Sequence, residues 1–243
     1  MPLLRTLLSP GFHALHRAVE WVGSISPSTP WARRFGSFGT GTMIAFPQAT
    51  ILGEQSIHLG TDTLVGRHCT LSVGYGPGDP GIPERGLVIG DRCVVGARCT
   101  FTAHAGIEIG DDVWFGQSVF VSDSSHGYQD PHTPIGDQMG SHQPVRIGSG
   151  SWIGHGAVIL PGTTIGRNVT VGAGSVVRGD VPDHTVVAGI PAKVVRRLEP
   201  GVGWVGKNDV RPVLDTETVA RMLSGEIDPE ALMEHGVEVP LSS

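Results

Sequence analysis

Six consecutive hexapeptides, IGSGSW, IGHGAV, ILPGTT, IGRNVT, VGAGSV and VRGDVP, run without a break from Ile147 to Pro182. The first position is always Ile or Val (Ile147, Ile153, Ile159, Ile165, Val171, Val177), and the second is Gly in four of the six. A helix repeats apolar residues every three or four positions and a half-buried strand every two, so neither explains a period of six. A solenoid does. Each hexad then supplies one short strand and a corner, and its first-position aliphatic stacks on a counterpart one coil away, at the strand spacing of about 4.8 Å. The fifth position holds Ser151, Ala157, Thr163, Val169, Ser175 and Val181, all small or β-branched, as a narrow interior corner requires. On this reading the second-position glycine is what lets the backbone turn.

The same register extends upstream through LGTDTL, VGRHCT and LSVGYG from Leu59, with further starts at Ile89, Ile109, Ile147 and Ile165. These five starts lie 30, 20, 38 and 18 residues apart. If three hexads make a coil, 18 residues is one bare coil, and the surplus must leave it in two places. One is residues 75–86 (YGPGDPGIPERG) and the other lies within residues 122–144 (SDSSHGYQDPHTPIGDQMGSHQP). Long excursions from a rigid scaffold are where binding and catalytic groups concentrate. The expected organisation is an all-β solenoid over residues 37–198, preceded by a helical segment and linker over 1–36 and followed by a helical tail over 199–243.

At the front, Leu4, Leu7, Leu8, Phe12, Leu15, Val19 and Val22 predict an amphipathic helix, broken near Pro10 and Gly11 and packed on the first coil; peripheral membrane attachment is the alternative, which the sparse charge of the segment does not favour. Arg5, His13, His16, Arg17 and Glu20 line its other face, and residues 23–36 read as a linker. In the tail, Asp215 or Thr216 before ETVARML and Asp228 with Pro229 before EALMEH are helix starts. A charged helical cap there would cover the last coil, which otherwise presents an open sheet edge.

Composition narrows the function. A net charge of −6, with no basic run carrying interleaved aromatics, argues against a nucleic-acid partner. No apolar stretch has transmembrane length, and Arg5 interrupts the N-terminal one before it could act as an export signal. Cys69, Cys93 and Cys99 each fall at a fifth position, so they read as core fillers; an odd, unclustered set implies no disulfide framework and a reducing compartment, the cytoplasm.

Residues 152–198 (WIGHGAVILPGTTIGRNVTVGAGSVVRGDVPDHTVVAGIPAKVVRRL) resemble the C-terminal half of the hexapeptide-repeat acyltransferases, in particular the bacterial sugar and polysaccharide O-acetyltransferases. VSDSSHGYQDPHTPIGDQ, residues 121–138, is similar to their active-site loop. The resemblance implies a left-handed parallel β-helix of triangular section, a homotrimer, and acetyl-CoA or another acyl-CoA bound between neighbouring subunits, with no metal.

The chemistry implied is acyl transfer from a thioester to a hydroxyl. A sugar hydroxyl is a poor nucleophile, so a base must take its proton during attack, and histidine suits that task. By spacing alone His126 is one of three histidines in the long excursion, with His132 and His142; the resemblance makes it the base. Asp123, three residues earlier, either holds the imidazole tautomer or caps a turn. On the donor side the resemblance places Trp152 near the pantetheine arm, where it could equally be a plain strand aromatic. It sets Ala173, between Gly172 and Gly174, where backbone approaches the cofactor, and Lys193 and Arg196 at the CoA phosphates. His155 stands where the family has a small polar residue or Ala, and Arg178 with Gly179 stands where it often has Thr-Lys, so Arg178 replaces the missing cation.

Two other classes compete. Solenoids of the γ-carbonic-anhydrase type share zinc-binding histidines across a subunit interface, from a pair four residues apart; here His126 and His132 are six apart, and zinc needs three converging ligands. A non-catalytic scaffold would have no use for the HGY loop. Nucleotidyltransferases with a C-terminal solenoid need a Gly-rich phosphate loop that residues 1–36 do not contain.

Overall fold

The computed structural model describes residues 2–76, 78–226 and 228. From Ser37 to Gly189 the chain winds as a three-faced coil in which each strand of a face pairs in parallel with a strand one coil away. The first face stacks Ser37–Phe38, Ile57–Leu59, Leu87–Ile89, Ile107–Ile109, Val145–Ile147, Thr164–Ile165 and Asp180–Val181. The second begins with Met43–Ile44 and Leu64–Val65 and runs through Trp114–Phe115, Trp152–Ile153 and Thr170–Val171 to Thr185–Gly189. The third runs from Thr50–Leu52 through Thr70–Val73, Thr100–Ala103, Phe120–Ser122 and Val158–Ile159 to Val176–Val177.

The register is the one hexad counting requires. Leu59 pairs with Ile89, Ile89 with Ile109, Ile109 with Ile147, and Ile147 with Ile165. All five side chains are buried in a single column. Burying each is worth about 1.5–3 kcal/mol, and slipping a strand by one residue would turn its share outward, so the column locks the coil.

The corners work differently from the expectation. The left-handed backbone sits at the fourth position, at Asp62 (φ 53), Arg92 (φ 54), Asp112 (φ 57) and Asn168 (φ 51), or at a glycine such as Gly162 (φ 74). The second-position glycine is needed for close stacking instead. A Cβ on Gly148 would lie 2.6 Å from the carbonyl carbon of Gly166, one coil on, and a Cβ on Gly90 would lie 2.7 Å from that of Gly110. The fifth-position side chain reaches the carbonyl of that same glycine in the next coil. Thr63 Oγ1 donates to Gly90 O (2.7 Å), Cys93 Sγ to Gly110 O (3.2 Å), Cys99 Sγ to Gly116 O (3.1 Å) and Ser151 Oγ to Gly166 O (3.1 Å). The three cysteines are buried and free, each a polar filler of an interior corner.

Both ends depart from the sequence reading. The first helix, α1 (Pro2–Gly23), continues through Pro10, whose ring lies on the exposed surface, rather than breaking there. Its apolar face does not pack on the first coil: Leu8, Phe12, Leu15 and Val22 are exposed. The helix is moored at its last turns, where Glu20 pairs with Arg67 (2.7 Å) and Gln48 Nε2 donates to Gly23 O (3.2 Å). Residues 23–36 are not a loose linker. They carry a 3-10 turn, Pro30–Arg34, bury Ile25, Ala32 and Phe35, and close the first coil with an antiparallel bridge from Ile25 to Ile44.

At the far end the parallel coil continues past Val181 to Thr185–Gly189, and then the chain reverses. Ala192–Glu199, Gly203–Gly206 and Val210–Arg211 add antiparallel strands to the second face, so a strand and not a helix covers that edge. The second helix, α2 (Thr216–Leu223), is capped by Asp215 accepting from the Thr218 N–H (2.7 Å) and buries none of its residues. The expected start at Asp228 and Pro229 leads into residues outside those described.

Candidate active site

Both excursions leave the coil at the corner where the third face passes to the first. Residues 74–86 follow Thr70–Val73, residues 104–106 follow Thr100–Ala103, and residues 123–144 follow Phe120–Ser122. Because these are successive coils, the three segments lie over one another. Their side chains meet. Tyr75 Oη is 2.6 Å from His142 Nε2, the His104 and His142 rings stack at 5.1 Å and 13°, and the Tyr75 ring lies 4.3 Å from His104. Among the described residues, the Nδ1 atoms of both histidines are buried without a hydrogen-bond partner. Backbone N–H groups of Tyr75 and Gly81 hold the Asp79 carboxyl below its usual range, with a smaller contribution from the nearby His104.

Asp123 sits beneath this cluster, fully buried. Its carboxylate accepts from the backbone N–H of His104 (2.9 Å), Ala105 (2.8 Å) and Gly106 (2.6 Å), one coil below. The imidazole nearest to it is that of His104, Nδ1 to Oδ1 3.7 Å, and not that of His126. Of the two sequence readings of Asp123, turn cap or tautomer holder, the observed bonds are those of a cap, reaching across 17 to 19 residues.

His126 lies on an antiparallel hairpin that the excursion forms on itself. Ser124–His126 pairs with Met139–His142, Ser124 opposite His142 and His126 opposite Met139, with a register shift between them. The imidazole of His126 is exposed. The hairpin tip is held by Gln138, whose Nε2 donates to the carbonyls of Asp130 and Thr133 (both 2.8 Å), and by Asp130, which accepts from the Thr133 hydroxyl (2.6 Å). His132 lies in that tip, exposed, where its backbone N–H also donates to Asp130.

Four of the six donor-side residues lie together. Trp152 stands on the second face, exposed beside Trp114 and followed in the next coil by Thr170 and then Val186. At the corner where the second face passes to the third, a Cβ on Gly154 would meet the backbone nitrogen of Ala173 at 2.6 Å, so His155 and Ala173 occupy successive levels of one column. Lys193, opposite Ala188, continues it. The other two lie apart from this column. Arg178 follows Val176–Val177 at the other corner, on the side of the excursions. Arg196 is engaged inside the tail: Nη2 donates to both carboxylate oxygens of Asp209 (2.8 and 2.9 Å) and Nη1 to Trp204 O (3.3 Å).

Sequence reasoning missed Tyr75, His104 and His142 as a cluster. The signal was present in the register, since Val73 pairs with Ala103 and therefore sets the start of one excursion over His104.

Comparison with known proteins agrees with this architecture. Residues 144–179 match a family model described as bacterial transferase hexapeptide (six repeats), and residues 86–116 match the hexapeptide repeat of succinyl-transferase. A protein named Probable acetyltransferase Rv3034c, of Mycobacterium tuberculosis, is 42% identical over 116 residues, 48% of this chain and 39% of that protein. The galactoside O-acetyltransferase of Escherichia coli is 38% identical over 92 residues, 38% of this chain and 44% of that one. The matches thus span half or less of these relatives' own length. In fold, the chain is similar to AntD, an N-acyltransferase from Bacillus cereus solved with dTDP-4-amino-4,6-dideoxyglucose and coenzyme A; the two share 18% identity and a TM-score of 0.62 over 84% of this chain and 98% of that one. The repeat, its register and these matches agree that the chain carries transferase hexapeptide repeats over residues 86–116 and 144–179 and is similar to proteins named acetyltransferases.

Proposed function

We propose that the chain moves an acetyl or other acyl group from acyl-CoA to a hydroxyl of a sugar or glycan, with His126 as general base. The observation that carries this reading is the folded hairpin that projects an exposed imidazole from the longest excursion of a hexapeptide coil. The acceptor oxygen attacks the thioester carbonyl while its proton passes to the His126 imidazole. The new C–O bond forms, the C–S bond breaks, and the CoA sulfur leaves and takes up a proton. The relatives matched in sequence favour oxygen as the acceptor, the galactoside O-acetyltransferase in particular.

Trp152, His155, Ala173 and Lys193 would hold the donor, with Lys193 as the cation for its phosphates. Their column lies at a different corner from the excursions. A site that needs both corners is completed most simply by a second copy, and this supports a homotrimer of left-handed coils with acyl-CoA between neighbours. Three free buried thiols and a CoA donor suit the cytoplasm. Arg196, committed to Asp209, is assigned to the tail, and Arg178 to the acceptor side.

A second reading makes His104 the base, because Asp123 lies beside its ring and not beside that of His126. A panel of acyl-CoA donors and sugar acceptors, read by release of free CoA, separates the two. His126→Ala should lower kcat by about 10² to 10⁴ and leave donor binding intact, with His132→Ala and His142→Ala costing far less. Near-wild-type turnover in His126→Ala, with the loss found in His104→Ala, would move the base.

A further inference from the structure

We propose that α1 is an interfacial anchor which lies with its apolar face on a membrane surface bearing anionic headgroups. This does not depend on the reaction assigned above. The helix stands away from the coil. Phe12 is 66% exposed, Leu15 64%, Val22 72% and Trp21 81%, although the sequence that makes them amphipathic would ordinarily bury them. At 3.6 residues per turn, the arc from Trp21 through Ala18, Val22, Leu15 and Leu8 to Phe12 covers about half the circumference. The same helix includes a seam of Leu8, Phe12, Leu15, Val19 and Val22 at alternating spacings of four and three, which a partner helix could use. That seam would leave Trp21 and the flanking small residues in water, whereas a continuous apolar medium takes the whole arc.

Charge points the same way. The helix sequence has two arginines, Arg5 and Arg17, against a single acid, in a chain whose net charge is −6 with its histidines neutral. That acid, Glu20, is already bonded to Arg67 (2.7 Å) and His16 (2.9 Å). At the foot of the helix the apolar surface continues into a cavity of about 650 Å³ reaching Trp31, whose ring carries the Arg34 guanidinium at 4.4 Å; that guanidinium is itself paired with Glu54 (3.2 Å). A broad aromatic and apolar face with an exposed arginine, Arg17, beside it is the pattern of a helix lying in the headgroup region. No helix among the described residues is long and apolar enough to cross a membrane, so the contact is with its surface.

Sedimentation of the purified full chain with vesicles of phosphatidylcholine, alone or mixed with phosphatidylglycerol, tests this. The wild type should pellet with the mixed vesicles. Phe12→Glu with Leu15→Glu should weaken binding by about a hundredfold, since two large side chains lose their apolar burial. Arg17→Glu should weaken binding to the mixed vesicles alone. Leu8→Glu, further from the coil, repeats the test in a second protein, and an unchanged β-sheet circular dichroism spectrum shows that each variant is folded. The proposal is overturned if the wild type stays in solution with both vesicles or if the double variant pellets as well as the wild type. It is also overturned if light scattering without lipid shows the wild type in a larger assembly than the double variant, which would give the face to a second copy.

Discussion

Replacing Asp123 by Ala separates its two possible roles by magnitude. Its buried carboxylate serves three backbone N–H groups of residues 104–106 at 2.6 to 2.9 Å. A hydrogen bond to a charged group is worth about 1.5–3 kcal/mol, and a buried donor left alone costs a similar amount. Three such bonds would sum to more than the site can lose, because water and a relaxed corner recover part of it, so the expected cost is about 3–5 kcal/mol. For a chain of this size that is a fall in Tm of about 6–20 °C, read by thermal unfolding. Asp123→Asn keeps one acceptor oxygen and should cost about 1–2 kcal/mol. The reasoning fails if Asp123→Ala melts with the wild type while acyl transfer falls by about 10², the signature of a carboxylate that orients a base and holds no corner together.

Lys193→Ala should raise the acyl-CoA KM by about tenfold with little change in kcat, since phosphate contacts serve ground and transition states alike; Arg196→Ala should leave that KM unchanged, as steady-state kinetics on both variants would show. Asp209 is held below its ordinary value of 3.8, first by its hydrogen bond from Arg196. A depressed carboxylate stabilises the fold above its unfolded pKa and loses that contribution as pH falls through the folded one, so the strand Gly203–Gly206 should stay docked at neutral pH and loosen below 3.8. Trp204 emission should show this acid step in the wild type and not in Asp209→Asn. Gly148→Ala should destabilise by about 1–3 kcal/mol because its Cβ would meet the Gly166 backbone, and Gly136→Ala, which meets nothing within 4 Å, should be silent in the same melt.

The coil was legible because its signal repeats: an aliphatic every sixth residue admits one register, and the pairing of Leu59 through Ile165 follows it. The position of His126 in the longest surplus was legible for the same reason. Its hairpin was not, because GYQDPHTPIGDQMG has no strand alternation and is folded by side-chain bonds such as those of Gln138. The partners of Asp123 lie one coil away, so a reading of local sequence looked three residues ahead when the contact was behind. Beyond Gly189 the period ends, and nothing in the sequence tied Arg196 to Asp209. In α1 the amphipathic pattern was plain, but a pattern says that a face needs cover and is silent about what supplies it.

The antiparallel segments at the two ends of the second face have a further consequence. A bare coil end is a template on which another coil could continue, and repeated addition would build a filament. Here Ile25 meets Ile44 at one end and Ala192–Glu199 covers Thr185–Gly189 at the other, both running against the coil. The last strands of the other two faces, Val176–Val177 and Asp180–Val181, are two residues long. Among the described residues, a second molecule arriving end-on therefore finds only open strands of two or three residues on these faces, which works against growth by coil addition.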